Sequence, residues 1–308
     1  MSFGRTVSPF WVKAWDERKR KSASGAESLW FAAVGRIVTD GAVNAQVCFN
    51  CDLETVQADP QPGRRFGKGE AIMGVGQKIA AENAGWTFGN NVPDTFVDHI
   101  KQSVPLYESG HDLICQLSDF FVKNDSVIYE IGTSTGELIR KMAQHNARKT
   151  GARWVGLDVE PAMIKAAENH CKDVANISIV QGDARHVEME KADMIISYYT
   201  MQFVPPRYRQ ELFDKIYETL NWGGAFVMFE KVRAPDARFQ DMIMQLYNDF
   251  KSRNGFSSEE IVEKSRSLKG VLEPFSTQGN LDLMARAGFK DMVSVQKYLC
   301  FEGFLAIK

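Results

Sequence analysis

Between residues 126 and 230, five short apolar runs alternate with segments of helical periodicity, and this alternation constrains the fold more than anything else in the chain. The runs are SVIYEI (126–131), ARWVGLD (152–158), ISIVQGD (177–183), ADMIISY (192–198) and GGAFVMFE (223–230). Several are apolar without a break, as strands buried on both faces are. Between them lie GELIRKMAQHN (136–146), with Leu138, Ile139 and Met142 on one face, and PAMIKAAENHC (161–171), with Pro161 in its first turn. PRYRQELFDKIYETL (206–220) is amphipathic. One or two helices are expected over 95–121 with a break near Pro105, and further helices to about residue 287. Two final runs, 290–299 and 301–308, form an antiparallel hairpin pattern. The expectation is an α/β chain: a doubly wound, mostly parallel seven-stranded sheet with an antiparallel C-terminal hairpin. In such sheets ligands lie at the carboxyl ends of the strands.

Residues 1–90 lack this regularity and are expected to be an extension, with 91–308 as the ligand-binding domain. Helices are expected near 10–20 and 70–83, a strand near 29–38, and an exposed loop over the turn-rich 59–70. The balance of 37 Lys and Arg against 39 Asp and Glu supplies no global basic field. No run of eighteen apolar residues exists, and the N-terminus lacks a secretion-signal stretch. Five cysteines, an odd count without framework spacing, suggest a reducing cytoplasm. Cys48 and Cys51 form a C-x-x-C with no second ligand pair nearby, so two incidental thiols are the simpler reading than zinc or a redox pair. The basic stretches 18–21 and 63–69 read as solvated surface, and the second also as a loop that could cap a pocket.

The turn Gly132-Thr133-Ser134-Thr135-Gly136 is open to three chemistries. A dinucleotide fingerprint fails because Ser134 and Glu137 stand where glycines are needed. A nucleophile elbow built on Ser134 fits G-x-S-x-G, but no histidine follows His186 to act as its base. The third is a nucleoside loop anchored by Glu130, which would attract an amino or sulfonium cation. A plain strand-to-helix turn needs the same glycines. Asp158 ends the second strand, placed to accept both ribose hydroxyls, and Asp183 ends the third, placed to accept from an adenine amino group. Each could equally cap a helix. Three carboxylates on one rim favour a shared adenosine-like ligand.

Residues 126–308 resemble class I S-adenosylmethionine-dependent methyltransferases, whose seven-stranded sheet ends in such a hairpin. From about residue 86 the chain is similar, more narrowly, to the carboxy-S-adenosylmethionine synthase family, which serves wobble-uridine modification in tRNA. The stretches carrying this include WTFGNNVPDTFVDHIKQSVPLYES (86–109), PPRYRQELFDKIYETLNWGGA (205–225) and NDFKSRNGFS (248–257). The resemblance implies that Tyr107 covers the ligand and that Gly132, Thr133 and Ser134 pass under its methionine part, with Gly136 closing the loop. It implies Asp158 and Val159 at the ribose and adenine, Asp183 and Ala184 at the adenine, and Tyr198 where the family has an asparagine. It also implies a homodimer with 236–270 near the interface. The family grips its extra carboxylate with an arginine after the N-G-[FY]-S turn. Here Ser265 matches that position and Arg266 follows it, and a one-residue offset on a helix turns a side chain by about 100°, so either Arg266 reaches the cofactor's carboxylate through a local shift or the cofactor is ordinary S-adenosylmethionine.

The leading expectation is methyl transfer from S-adenosylmethionine, with Tyr107, Tyr198 and Tyr199 lining the acceptor pocket and no metal. One alternative is synthesis of carboxy-S-adenosyl-L-methionine from a carboxylate-bearing donor such as prephenate. Another is a non-catalytic nucleotide-binding interaction module. The acceptor is left open between a small molecule, tRNA and protein.

Overall fold

The computed structural model describes residues 73–74, 80–81, 83–88 and 92–308. The helix expected at 10–20, the strand at 29–38, the loop at 59–70, the basic stretches and the Cys48/Cys51 pair lie outside the described residues.

The helix expected over 70–83 is corrected. Strands β1 (Met73–Gly74) and β2 (Ala80–Ala81) pair there antiparallel, Met73 opposite Ala81. Gly74 and Gly76 fall inside that run, and each costs a helix about 1 kcal/mol relative to alanine.

Helices α1 (Val92–Ser103) and α2 (Tyr107–Phe121) are separated at Val104-Pro105-Leu106. Pro105 offers no N–H and disfavours helical backbone at Val104. Leu106 turns the chain with φ of 57°. The regular body then follows as β3 (Val127–Ile131), α3 (Glu137–His145), β4 (Arg153–Asp158), α4 (Pro161–Cys171), β5 (Ile177–Gln181) and β6 (Ala192–Tyr198). After a 3₁₀ turn at Met201–Phe203 come α5 (Pro206–Thr219), β7 (Leu220–Lys231), α6 (Ala237–Arg253), α7 (Ser258–Ser267), α8 (Thr277–Ala287), β8 (Asp291–Tyr298) and β9 (Phe301–Ile307).

The seven-stranded sheet has the order β5-β4-β3-β6-β7-β9-β8. Strands β3 to β7 are parallel, and β9 inserts antiparallel between β7 and β8. Both faces are covered, which is why the strands read as unbroken apolar runs. Ile128, Ile196 and Val227 pack on one face with Ile114, Leu138 and Met142 of α2 and α3. Val127, Tyr129, Ile195 and Phe226 pack on the other with Leu212 and Phe213 of α5 and Leu283 of α8. The chain winds outward from β3 to β5, then returns to lay β6 beside β3. That reversal opens a crevice at the carboxyl ends of β3 and β6. No helix among the described residues is long and apolar enough to cross a membrane.

Candidate functional site

A cavity of about 1080 Å³ lies over this crevice. It lies just above the usual range of about 300–1,000 Å³ for small-molecule sites. Its floor is the β3–α3 turn. Gly132 and Thr133 both donate their N–H to the Leu157 carbonyl, at 2.7 and 2.9 Å. Ser134 donates its N–H to Asp158 Oδ2 at 2.9 Å, and Gly136 donates to the Thr133 carbonyl. The N–H groups of Gly132, Thr133, Ser134 and Gly136 are thus consumed internally. A phosphate cradle needs those N–H groups free, so this turn suits a ligand that brings no phosphate. Ser134 sits at φ 51° with its Oγ 3.4 Å from Met163 Sδ, and no histidine is its partner, so the nucleophile elbow lacks its base.

Glu130 is buried beneath the turn. Thr133 donates its hydroxyl to Glu130 Oε2 at 2.8 Å, yet burial pushes the carboxyl up to about 8. A buried acid held neutral ionises when a cation arrives beside it. Asp158 is raised as well, chiefly by burial. Its Oδ1 accepts from the Glu160 N–H at 3.0 Å and its Oδ2 from Ser134, and the Val159 N–H also acts on the carboxylate, which still leaves acceptor capacity for a further donor. A ribose hydroxyl can use that capacity. Val159 and Ala184 line the cavity, the first exposed and the second buried.

Asp183 also lines the cavity but is already engaged. Its oxygens accept from the backbone N–H and the guanidinium of Arg185, which holds the carboxyl below its ordinary value. Arg185 in turn lies 4.2 Å over the Tyr208 ring. Gly136 is not part of the lining; a Cβ there would meet Cys171 Sγ at 2.9 Å, so its role is the close packing of α3 against α4.

The opposite wall is aromatic. Tyr107 and Tyr198 have ring centroids 5.2 Å apart, and Tyr198 and Tyr199 4.7 Å. Tyr198 donates its hydroxyl to the Tyr107 carbonyl at 2.6 Å, whereas the Tyr199 hydroxyl is buried without a partner. Burial raises the pKa of all three, so all remain phenols. Arg266 reaches the cavity edge, but its guanidinium is held 2.6 Å from Glu263 and its side chain is 52% exposed.

Sequence reasoning missed the far end of the cavity. Residues 83–88, placed above in the extension, pack on α7: Ala84 and Trp86 donate their N–H groups to the Arg266 and Ser267 carbonyls. Trp86 stacks on His99, whose unpartnered ring is held neutral by burial, with a pKa of about 3. Lys231, Lys251 and Lys264 line the cavity there too. Lys251 lies in the DFKSRNGFS stretch, but nothing in a sequence marks which lysines will lose their solvent. No group of three or more His, Cys, Asp or Glu among the described residues could hold a metal.

Sheet order, terminal hairpin and rim together define the fold of the class I S-adenosylmethionine-dependent methyltransferases. The methyltransferase domain family matches residues 128–224. Among solved structures, a putative O-methyltransferase from Nostoc punctiforme has a TM-score of 0.51 at 18% identity, covering 71% of this chain and 61% of that one. Human N-acetylserotonin methyltransferase has a TM-score of 0.50 at 17% identity, covering 70% and 55%. The carboxy-S-adenosyl-L-methionine synthase of Staphylococcus epidermidis is 35% identical over 224 residues, 72% of this chain and 97% of that protein. The Salmonella paratyphi C synthase is 35% identical over 208 residues, 67% and 84% of the two chains. The chain belongs to the carboxy-S-adenosyl-L-methionine synthase family.

Proposed function

We propose that this chain is an S-adenosylmethionine-dependent methyltransferase whose acceptor enters the same cavity along Tyr107, Tyr198 and Tyr199. The observation that carries this reading is Arg266. The position matching the family's carboxylate grip is Ser265, exposed on α7, and the adjacent guanidinium is committed to Glu263. A charged hydrogen bond to a carboxylate contributes about 1.5–3 kcal/mol, and without it an extra carboxylate on the cofactor lacks the arginine that the resemblance implies at this position.

Bound there, S-adenosylmethionine supplies an activated methyl group: the acceptor's lone pair bonds to the methyl carbon as the carbon–sulfur pair leaves with sulfur. Asp158 would hold the ribose and Val159 and Ala184 would flank the adenine; Asp183 would receive its amino group only where the Arg185 guanidinium gives up one of its carboxylate oxygens. The backbone of Gly132, Thr133 and Ser134 would pass under the methionine part above Glu130. The phenols keep water from the reacting atoms and orient the acceptor. Residues 91–308 would be the transferase body and 1–90 an extension. The buried free thiols of Cys115, Cys171 and Cys300 suit a reducing cytoplasm. The exposed apolar Phe239, Met242 and Leu246 on α6 suit a homodimer interface.

The second reading is carboxy-S-adenosyl-L-methionine synthesis, favoured by what the two bacterial relatives are named. Mass measurement of the ligand that copurifies with the protein separates them. S-adenosylmethionine or its demethylated product is expected; a ligand heavier by a carboxylate selects the synthase. Calorimetry with S-adenosylhomocysteine should show Asp158→Ala weakening binding about ten-fold or more. Equal affinity for variant and wild type removes Asp158 from the site.

A further inference from the structure

Six rings form one wall of the cavity: Trp86, Phe88, Phe96, His99, Phe203 and Phe256. They pack by face and by edge. His99 stacks on Trp86 with centroids 6.1 Å apart and meets Phe256 edge-on at 5.6 Å. Phe88 stands edge-on to Trp86 at 5.8 Å and to Phe203 at 4.9 Å. The backbone fixes this wall at three points. Trp86 donates its N–H to the Ser267 carbonyl, Phe256 donates its N–H to the Lys251 carbonyl, and the His99 carbonyl accepts from Ser103 Oγ at 2.8 Å. A flat aromatic ring entering the cavity would find faces and edges at the spacings such rings prefer.

Among these six rings only His99 presents a lone pair. It is 4% exposed, and neither Nδ1 nor Nε2 has a hydrogen-bond partner. Buried polar atoms are ordinarily paired, so an imidazole orphaned at both nitrogens in a cavity wall points to a group that the cavity receives. Packing alone would be served by a fourth phenylalanine, whose ring brings no polar atom to satisfy. The imidazole cannot escape its deficit by taking up a proton. Burial, and then the charge of Lys264 over the Trp86 ring, hold it neutral. Lys231, Lys251 and Lys264 have no carboxylate within ion-pair distance among the described residues, so their field is not cancelled at close range. A neutral imidazole carries one N–H and one lone pair. A hydroxyl matches both: it can turn its hydrogen to the bare nitrogen or its oxygen to the N–H.

We propose that His99 is a specificity-determining residue that hydrogen-bonds a hydroxyl group on an aromatic ring of the acceptor while that ring lies against Trp86, Phe88 and Phe256. This deepens the methyltransferase reading and rests on it. The contact orients the acceptor and moves no proton. A site built to hydrogen-bond a hydroxyl rejects the analogue without one, because the buried partner is then left unpaired. His99 thus adds selection for hydroxylated rings to a wall that would otherwise take any ring of that size.

Phenol and toluene share one shape and differ in the hydroxyl. Each is titrated by calorimetry into the full chain already saturated with S-adenosylhomocysteine, and the ratio of the two affinities is compared between wild type and variant, so that their different hydration cancels. His99→Phe keeps a ring for Trp86 and Phe256 and removes both nitrogens. The preference for phenol over toluene should fall about ten-fold in this variant, with S-adenosylhomocysteine affinity within about two-fold of the wild type. His99→Leu should show the same fall, and it serves if the six-membered ring is not accommodated. His99→Phe also removes an orphaned polar group, so its thermal midpoint should equal or exceed that of the wild type. In protein labelled with ¹⁵N-histidine, phenol should shift the His99 ring-nitrogen resonances and toluene should not, a response that a merely structural ring would not give. Failure of S-adenosylhomocysteine to bind sinks the methyltransferase reading. Binding of S-adenosylhomocysteine with the phenol-to-toluene ratio unchanged in both variants, or with His99 resonances unmoved by saturating phenol, overturns the role of His99 alone.

Discussion

Tyr198 stands at the end of β6, where the resemblance implies an asparagine, and the residues around it show how a phenol is accommodated there. Its ring is enclosed by Tyr107, His111, Tyr199 and Phe229, with the His111 and Tyr199 centroids each at 4.7 Å. The hydroxyl fits because residue 110 on α2 has no side chain: a Cβ there would stand 2.3 Å from Tyr198 Oη. The phenol is held by the Tyr107 carbonyl, so it cannot retreat cheaply. Gly110→Ala should therefore destabilise the fold by about 1–3 kcal/mol through overpacking. In a double-mutant cycle with Tyr198→Asn, urea unfolding should show that penalty relieved by about 1 kcal/mol or more. Strictly additive costs would mean that the two residues do not share this space. Glu130 and Asp158 were legible in the sequence because strand ends can be located from apolar runs, and a carboxylate at a strand end has few places to point. Lys231, Lys251 and Lys264 were not. Their significance lies in what is missing around them, and an absent counter-ion is a property of the tertiary structure alone.

At the scale of elements, legibility followed the period of the pattern. The strands and helices from 126 onward were found because buried parallel strands and amphipathic helices leave opposite signatures. The run 70–83 was misread because an apolar stretch interrupted by glycines satisfies a helical period without favouring a helix. Helix α6 poses the reverse problem, since its pattern shows an apolar stripe but not what covers it. Phe239, Met242 and Leu246 recur at spacings of three and four and are 41%, 54% and 49% exposed. Val262 on α7 is 47% exposed. A second copy of the chain would cover such a stripe, and α6 also carries Lys251 of the cavity. If the homodimer forms through α6, Leu246→Glu should shift sedimentation equilibrium from dimer to monomer at micromolar concentration. It should leave the unfolding free energy of the monomer within about 0.5 kcal/mol, because the residue is exposed there. A wild-type protein that sediments as a monomer, or a variant that stays dimeric, assigns the stripe to something other than self-association.

For the molecule as a whole, the cavity sets a buried acid at one end and lysines at the other, and pH should reveal both. Glu130 has a folded pKa of about 8 against an ordinary value of 4.5, so between those values the folded state holds a proton that the unfolded state has lost. Its contribution to stability must fall as pH rises through that window. The full difference is on the order of 3–5 kcal/mol. Lys251 has a folded value of about 8 against 10.5, so in that window the unfolded state holds the extra proton. Its contribution rises with pH, by on the order of 3–4 kcal/mol. His99 and His111, lowered to about 3 and 4 from 6.5, titrate in the acid range and tilt the raw curve there. Difference curves remove them. The stability of the wild type minus that of Glu130→Gln should decline from pH 5 to 8 and then flatten. The wild type minus Lys251→Met should be flat below pH 8 and climb above it. A cationic ligand over Glu130 should abolish the first decline by ionising the acid. Calorimetry of S-adenosylmethionine binding at pH 7, in two buffers of different ionisation enthalpy, should therefore register the release of roughly one proton. Release that persists in Glu130→Gln would place the titrating group elsewhere in the cavity, and with it the cation.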